Sequence, residues 1–121
     1  MECNKLGNAV LEKSFRFAVR IMNLGRYLQN EQREFVVAKQ ITRSGTSIGA
    51  NINEAQQAQS KADFIHKMSI ALKEAKETDY WLRLLNESKY ISPKMFQSMA
   101  VQCDELIRLL VSIVKTSREN S

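Results

Sequence analysis

The chain has 121 residues, 44% hydrophobic and 26% charged, with 4 glycines and 1 proline. That is room for one domain, and so few breakers argue against a sandwich or barrel of short strands and against a disordered chain. Lys plus Arg is 18 and Asp plus Glu is 13, a formal charge of +5, which favours an anionic partner, nucleic acid being the commonest.

No apolar run approaches the roughly 18 residues of a membrane span. The start, Met1-Glu2-Cys3-Asn4-Lys5, lacks the apolar stretch of a signal peptide. A cytoplasmic protein is therefore expected, with no membrane partner and with Cys3 and Cys103 as free thiols.

Four helical segments follow one another as a single domain over 1–121. The first is predicted over about 8–28, where Val10, Phe17, Ile21, Leu24 and Leu28 share a stripe at helical spacing. Asn30 is placed to cap a second helix over about 31–57. The middle of that helix, Thr42 to Asn51, is rich in glycine and small polar residues, and each interior Gly costs about 1 kcal/mol against Ala. Yet Val37, Ala38, Ile41, Gly45, Ile48, Ile52 and Ala55 keep to one face throughout. The periodicity predicts one continuous helix, with small residues that let a neighbouring backbone come close.

Ser60 and Asp63 resemble a capping box opening a third helix over about 60–87, whose main stripe is Phe64, Met68, Ala71, Leu72, Ala75 and Leu82. Ser92-Pro93 opens a fourth, over about 92–116, with Ser as cap and Pro at the first helical position. Short turns between long helices imply an all-α fold, an antiparallel up-down-up-down four-helix bundle. The third helix carries more apolar surface than one bundle needs. Ile70, Trp81 and Leu84 lie some 120–160° from its main stripe, with Tyr80 nearby, and are expected to seal a homo-oligomer.

Catalytic chemistry finds little support. A di-metal carboxylate bundle needs two Glu-x-x-His pairs, but there is one His. Asp63 and His66 have that spacing once, with Glu54 able to come near, but they fall off the buried stripe. No metal, cofactor or catalytic residue is expected, and the chain does not read as an enzyme. Cys103 falls toward the buried side, where a thiol behaves as a small hydrophobe. A basic face is the better candidate. Lys13, Arg16 and Arg20 are spaced i, i+3, i+7 on the first helix, and Lys39 and Arg43 i, i+4 on the second. Such cations are expected to meet an RNA or DNA backbone. With no aromatic residue among them, base stacking is not expected there.

The stretch Arg43 to Ala55 resembles the Arg-x-x-x-Ser-Ile-x-x-Asn-Ile-x-Glu core of a bacterial family of four-helix bundle proteins, encoded in intervening sequences of large-subunit ribosomal RNA genes. Phe64 to Leu85 (FIHKMSIALKEAKETDYWLRLL) fits the third helix of the same family. The resemblance implies a ring-like homopentamer. It extends to the accessory variability determinant of diversity-generating retroelements, a basic pentameric barrel that binds nucleic acid and its partner reverse transcriptase. The matched positions are Arg43, Ser47, Asn51 and Glu54, a polar ladder that suits either a network between helices or a docking site. A protein-interaction scaffold with no nucleic-acid role is the rival expectation.

Overall fold

The computed structural model describes the backbone of residues 2–120 and the side chains of residues 8–120; the expectation for Cys3 lies outside the described side chains. Four helices follow in order: α1 (Glu2–Asn30), α2 (Val36–Ala55), α3 (Lys61–Glu87) and α4 (Pro93–Glu119). Each touches its two neighbours around the bundle, α1 against α2 and α4, α3 against α2 and α4, and the diagonal pairs stay apart. The fold is the antiparallel up-down-up-down four-helix bundle.

The core is one column of apolar side chains. Phe17, Ile21 and Leu28 of α1, Ile41, Ile48 and Ile52 of α2, Met68 and Leu82 of α3, and Leu106 and Leu110 of α4 are fully buried. On α3 the buried residues are Met68, Ala71, Ala75, Thr78, Leu82 and Leu85. Their alternating three- and four-residue steps are the pattern that keeps one helix face on its neighbours over many turns.

The glycine-rich middle of α2 is helical without a break. Its small residues face α1, and the approach explains them. A Cβ added at Gly45 would lie 2.7 Å from Ile21 Cγ1, and one at Gly49 would lie 3.3 Å from the Ser14 hydroxyl. On α1, Gly25 leaves room in the same way for Thr42, whose Oγ1 would be 2.5 Å from an added Cβ. Toward α3 the same helix sends a hydroxyl into the core. Ser44 and Thr78, both fully buried, share a hydrogen bond of 2.9 Å.

Three helix starts test the expected caps. Ser60 accepts a hydrogen bond from the Asp63 N–H at 3.0 Å, and Ser92 from the Met95 N–H at 3.1 Å, with Pro93 following. The expected cap at Asn30 is overturned. Asn30 ends α1, and α2 begins five residues later than expected, at Val36. Nothing between Leu28 and Asn30 breaks the first helix. The carboxylate that caps the second belongs to Glu34, which accepts from the N–H groups of Val37 at 2.7 Å and Ala38 at 3.1 Å. Glu is longer than the usual capping residues, so it reaches the orphan donors from one position further out. At the other ends, α2 stops at Ala55 and α4 runs on to Glu119.

The α1–α2 and α3–α4 turns lie at the same end of the bundle. Each contains one non-glycine residue with left-handed backbone, Arg33 (φ 54°) and Lys89 (φ 64°). Around Lys89, Tyr90 N–H donates to Leu85 C=O at 2.9 Å and Lys89 N–H to Asn86 C=O at 3.1 Å. This is the helix-ending arrangement in which Gly normally occupies the left-handed position.

Candidate functional site

The polar ladder of α2 splits into two kinds of rung. Arg43 reaches across to α3, pairing with Glu74 at 3.0 Å and with Glu77. Glu77 also accepts from the Trp81 indole N–H at 3.0 Å. Glu54 pairs with Lys67 at 3.2 Å, so the two end rungs clasp α2 to α3. The middle rungs turn back on their own helix. The Ser47 hydroxyl donates to Arg43 C=O at 2.7 Å, and the Asn51 amide to Ser47 C=O at 2.8 Å. Small polar side chains inside a helix satisfy themselves this way when no outside partner is offered.

The five cations expected to form one basic face do not gather. Lys13 and Arg20, seven residues apart, both lean to α4: Lys13 pairs with Glu105 at 3.3 Å and Arg20 donates to Gln102 at 2.5 Å. Arg16 stays on α1, paired with Glu12 at 2.5 Å. Arg43 is held by α3. Lys39 stands exposed on α2, and among the described residues no carboxylate lies within 4.0 Å of it. Three of the five therefore carry an acidic partner, which cuts their attraction for phosphate.

Of the residues expected at an oligomer contact, Ile70 and Trp81 are half-buried, and Tyr80 and Leu84 are more open. Tyr80 meets Trp81 edge-on, ring centres 5.0 Å apart. A larger apolar exposure lies elsewhere. Phe15 (70% exposed), Val19 (48%) and Met22 (42%) run along α1. Phe15 lines a groove of about 650 Å³ between α1 and α2, with Leu11, Ala18, Gly49 and Ala50 among its other walls. The signal was present as a second i, i+4, i+7 stripe on the first helix, hidden beside a stronger one.

Reactive groups are sparse. Cys103 is buried and donates to Ala75 C=O at 3.3 Å. Burial, reinforced by Asp79 and Asp104, pushes its thiol up to about 12, so it holds no nucleophilic thiolate at neutral pH. His66 is exposed and Asp63 partly so. Among the described residues, no three His, Cys, Asp or Glu side chains gather as a metal site requires. Among the same residues, no helix is long and apolar enough to cross a membrane.

The family model for 23S rRNA-intervening sequence proteins matches residues 7–112. The chain belongs to that family. In this 23S rRNA-intervening sequence protein the matched span takes in the whole α2 ladder and the whole of α3. A solved structure carries the same fold, that of a protein of unknown function from the S23 ribosomal protein family of Bacteroides thetaiotaomicron. It is 58% identical, with a TM-score of 0.90 over 91% of this chain and 98% of that one. No curated protein matches the family member described here.

Proposed function

We propose that the protein is a non-catalytic bundle that assembles with copies of itself and binds nucleic acid through its phosphate backbone. The observation that carries the nucleic-acid reading is the distribution of the surplus charge. The chain is +5 overall. Lys39, Lys73, Lys76, Lys89 and Lys94 are all exposed, and among the described residues none has a carboxylate within 4.0 Å. Unpaired surface cations keep their counterions until a polyanion displaces them. Self-assembly is supported by the Phe15, Val19 and Met22 row beside its groove, since contiguous apolar surface of this kind is normally covered. Five copies is the number the family resemblance implies.

Binding of a labelled RNA at about 50 mM salt, weakening steeply toward about 200 mM, is the expected result. Affinity that ignores salt would overturn the nucleic-acid reading. Light scattering is expected to give a multiple of the 13.9 kDa chain mass, reduced toward one copy by Phe15→Glu. A mass of one copy for the unaltered protein at micromolar concentration would overturn assembly. The groove also favours a second reading, a scaffold that seats a protein partner; specific capture of one protein after nuclease treatment would select it.

A further inference from the structure

We infer that the turn end of the bundle, where the α1–α2 and α3–α4 connections meet, is a docking site for single-stranded nucleic acid. The inference rests on the nucleic-acid reading above and gives it a place. The structure brings to one end two stretches that the sequence keeps apart, Arg33 to Phe35 and Lys89 to Lys94, each with cations beside aromatic rings.

A cavity of about 580 Å³ spans the two turns, lined by Tyr27 and Gln32 from one side and by Asn86, Lys89 and Tyr90 from the other. The Gln32 amide donates to the Tyr27 hydroxyl at 2.7 Å, which fixes one wall. Next to Gln32 in the chain, the Arg33 guanidinium lies over the Phe35 ring, 5.7 Å from its centre. Phe35 is 54% exposed, so its ring and the planar cation form an open platform. Lys89 and Lys94 add two further cations that, among the described residues, have no carboxylate within 4.0 Å. The acids of this end are Glu31 and Glu34 on the first turn, Glu34 as the cap of α2, and Glu87 in the cavity wall. Arg26 and Lys39, each within about a helical turn of the α1–α2 connection, join Arg33, Lys89 and Lys94, so cations still outnumber carboxylates there.

The backbone adds an independent observation. Both turns use a left-handed residue, a position that Gly fills without steric cost. Here the residues are Arg33 and Lys89. The chain has accepted strain at two corresponding turns and placed a long cation at each. A cation at a helix C-terminus gains a little from the helix dipole, but that needs no cavity and no exposed ring beside it. Cations that follow a backbone, with aromatic faces for successive bases, are the two components of single-strand binding. A duplex hides the base faces, so it would use only the cations.

The test turns on a variant whose two readouts move in opposite directions. Arg33→Gly/Lys89→Gly relieves both left-handed positions and removes both cations. It is expected to melt at or above the temperature of the unaltered protein. Its affinity for a labelled single-stranded RNA of about 20 nucleotides should fall by about tenfold, with the salt dependence shallower by one to two contacts, on the order of one per cation lost. Phe35→Ser should weaken the single strand several-fold, leave the salt dependence unchanged, and leave duplex binding unchanged. If the glycine variant binds like the unaltered protein while Lys13→Glu/Arg16→Glu loses binding, the turn-end site is wrong and the nucleic-acid reading survives. If the unaltered protein binds no RNA at low salt, both fall. If duplex and single strand bind alike and Phe35→Ser is silent, the stacking platform is wrong.

Discussion

The two flanks of α2 are built by opposite means. Toward α1 the helix presents glycine and small residues, and the contact is close and set by shape: Gly45 leaves no room beside Ile21 even for a Cβ. Toward α3 it presents the Arg43 and Glu54 ion pairs and the Ser44–Thr78 hydrogen bond. A contact made of shape tolerates no added volume but is indifferent to charge. A contact made of charge pairs at half-exposed positions tolerates size but depends on keeping both members. One helix thus uses both strategies at once, and a substitution's effect is set by which flank receives it.

The sharpest way to break this contrast is bulk on the α1 flank. Gly45→Val forces two methyl groups against Ile21, which is fully buried; a loss of about 3 kcal/mol is expected by urea unfolding. Ile21→Ala in the same chain should recover part of it, so the double variant costs less than the sum of the singles. Equal additivity would mean that the two residues do not meet.

Next in size is Arg43→Met on the α3 flank. It leaves Glu74, only 13% exposed, facing Glu77 with no cation between them. Because Arg43 itself is about half exposed, the loss is expected at about 1–2 kcal/mol rather than the larger figure for a buried pair. Adding Glu74→Gln and Glu77→Gln should restore most of it. Failure to restore would show that Arg43 acts by packing.

The smallest effect sharpens the contrast within one flank. At Gly49 an added Cβ would sit 3.3 Å from the Ser14 hydroxyl and 3.4 Å from its carbonyl oxygen. That tight fit opposes the gain of about 1 kcal/mol that Ala brings to a helix interior. Gly49→Ala is expected to change stability by less than about 0.5 kcal/mol, measured alongside Gly45→Ala, which should clearly lose.

Much of this was legible in the residues. The recurrence of Ile41, Gly45, Ile48 and Ile52 carried α2 through a segment of poor helix formers, because burial of one face outweighs intrinsic propensity. The caps at Ser60 and Ser92 were legible because a hydroxyl directly before a helix has one local job. The start of α2 was not, since the capping oxygen sits on Glu34, a residue type with little capping preference, and Asn30 offered a more familiar cap. The partners of the basic residues were hidden for a different reason. Spacing tells which cations share a helix side, but not which acids on α3 and α4 will claim them, as Glu105 claims Lys13 and Glu74 claims Arg43. Nor does spacing show that Arg33, Phe35 and Lys89 end up at one end, because that depends on the order in which the helices return.

The buried Ser44–Thr78 bond carries a consequence for alignment. An apolar interface between two helices is nearly as content one turn up or down, because leucine-like surfaces interchange. Sliding α2 by a turn against α3 would face Ser44 and Thr78 with hydrocarbon and lose the bond between them. Each hydroxyl keeps a carbonyl of its own helix, Ile41 and Glu74, so the cost is that of one net hydrogen bond, about 1 kcal/mol. The pair therefore acts as a vernier mark for the hairpin, making one offset cheaper than its neighbours before any surface group has found its match.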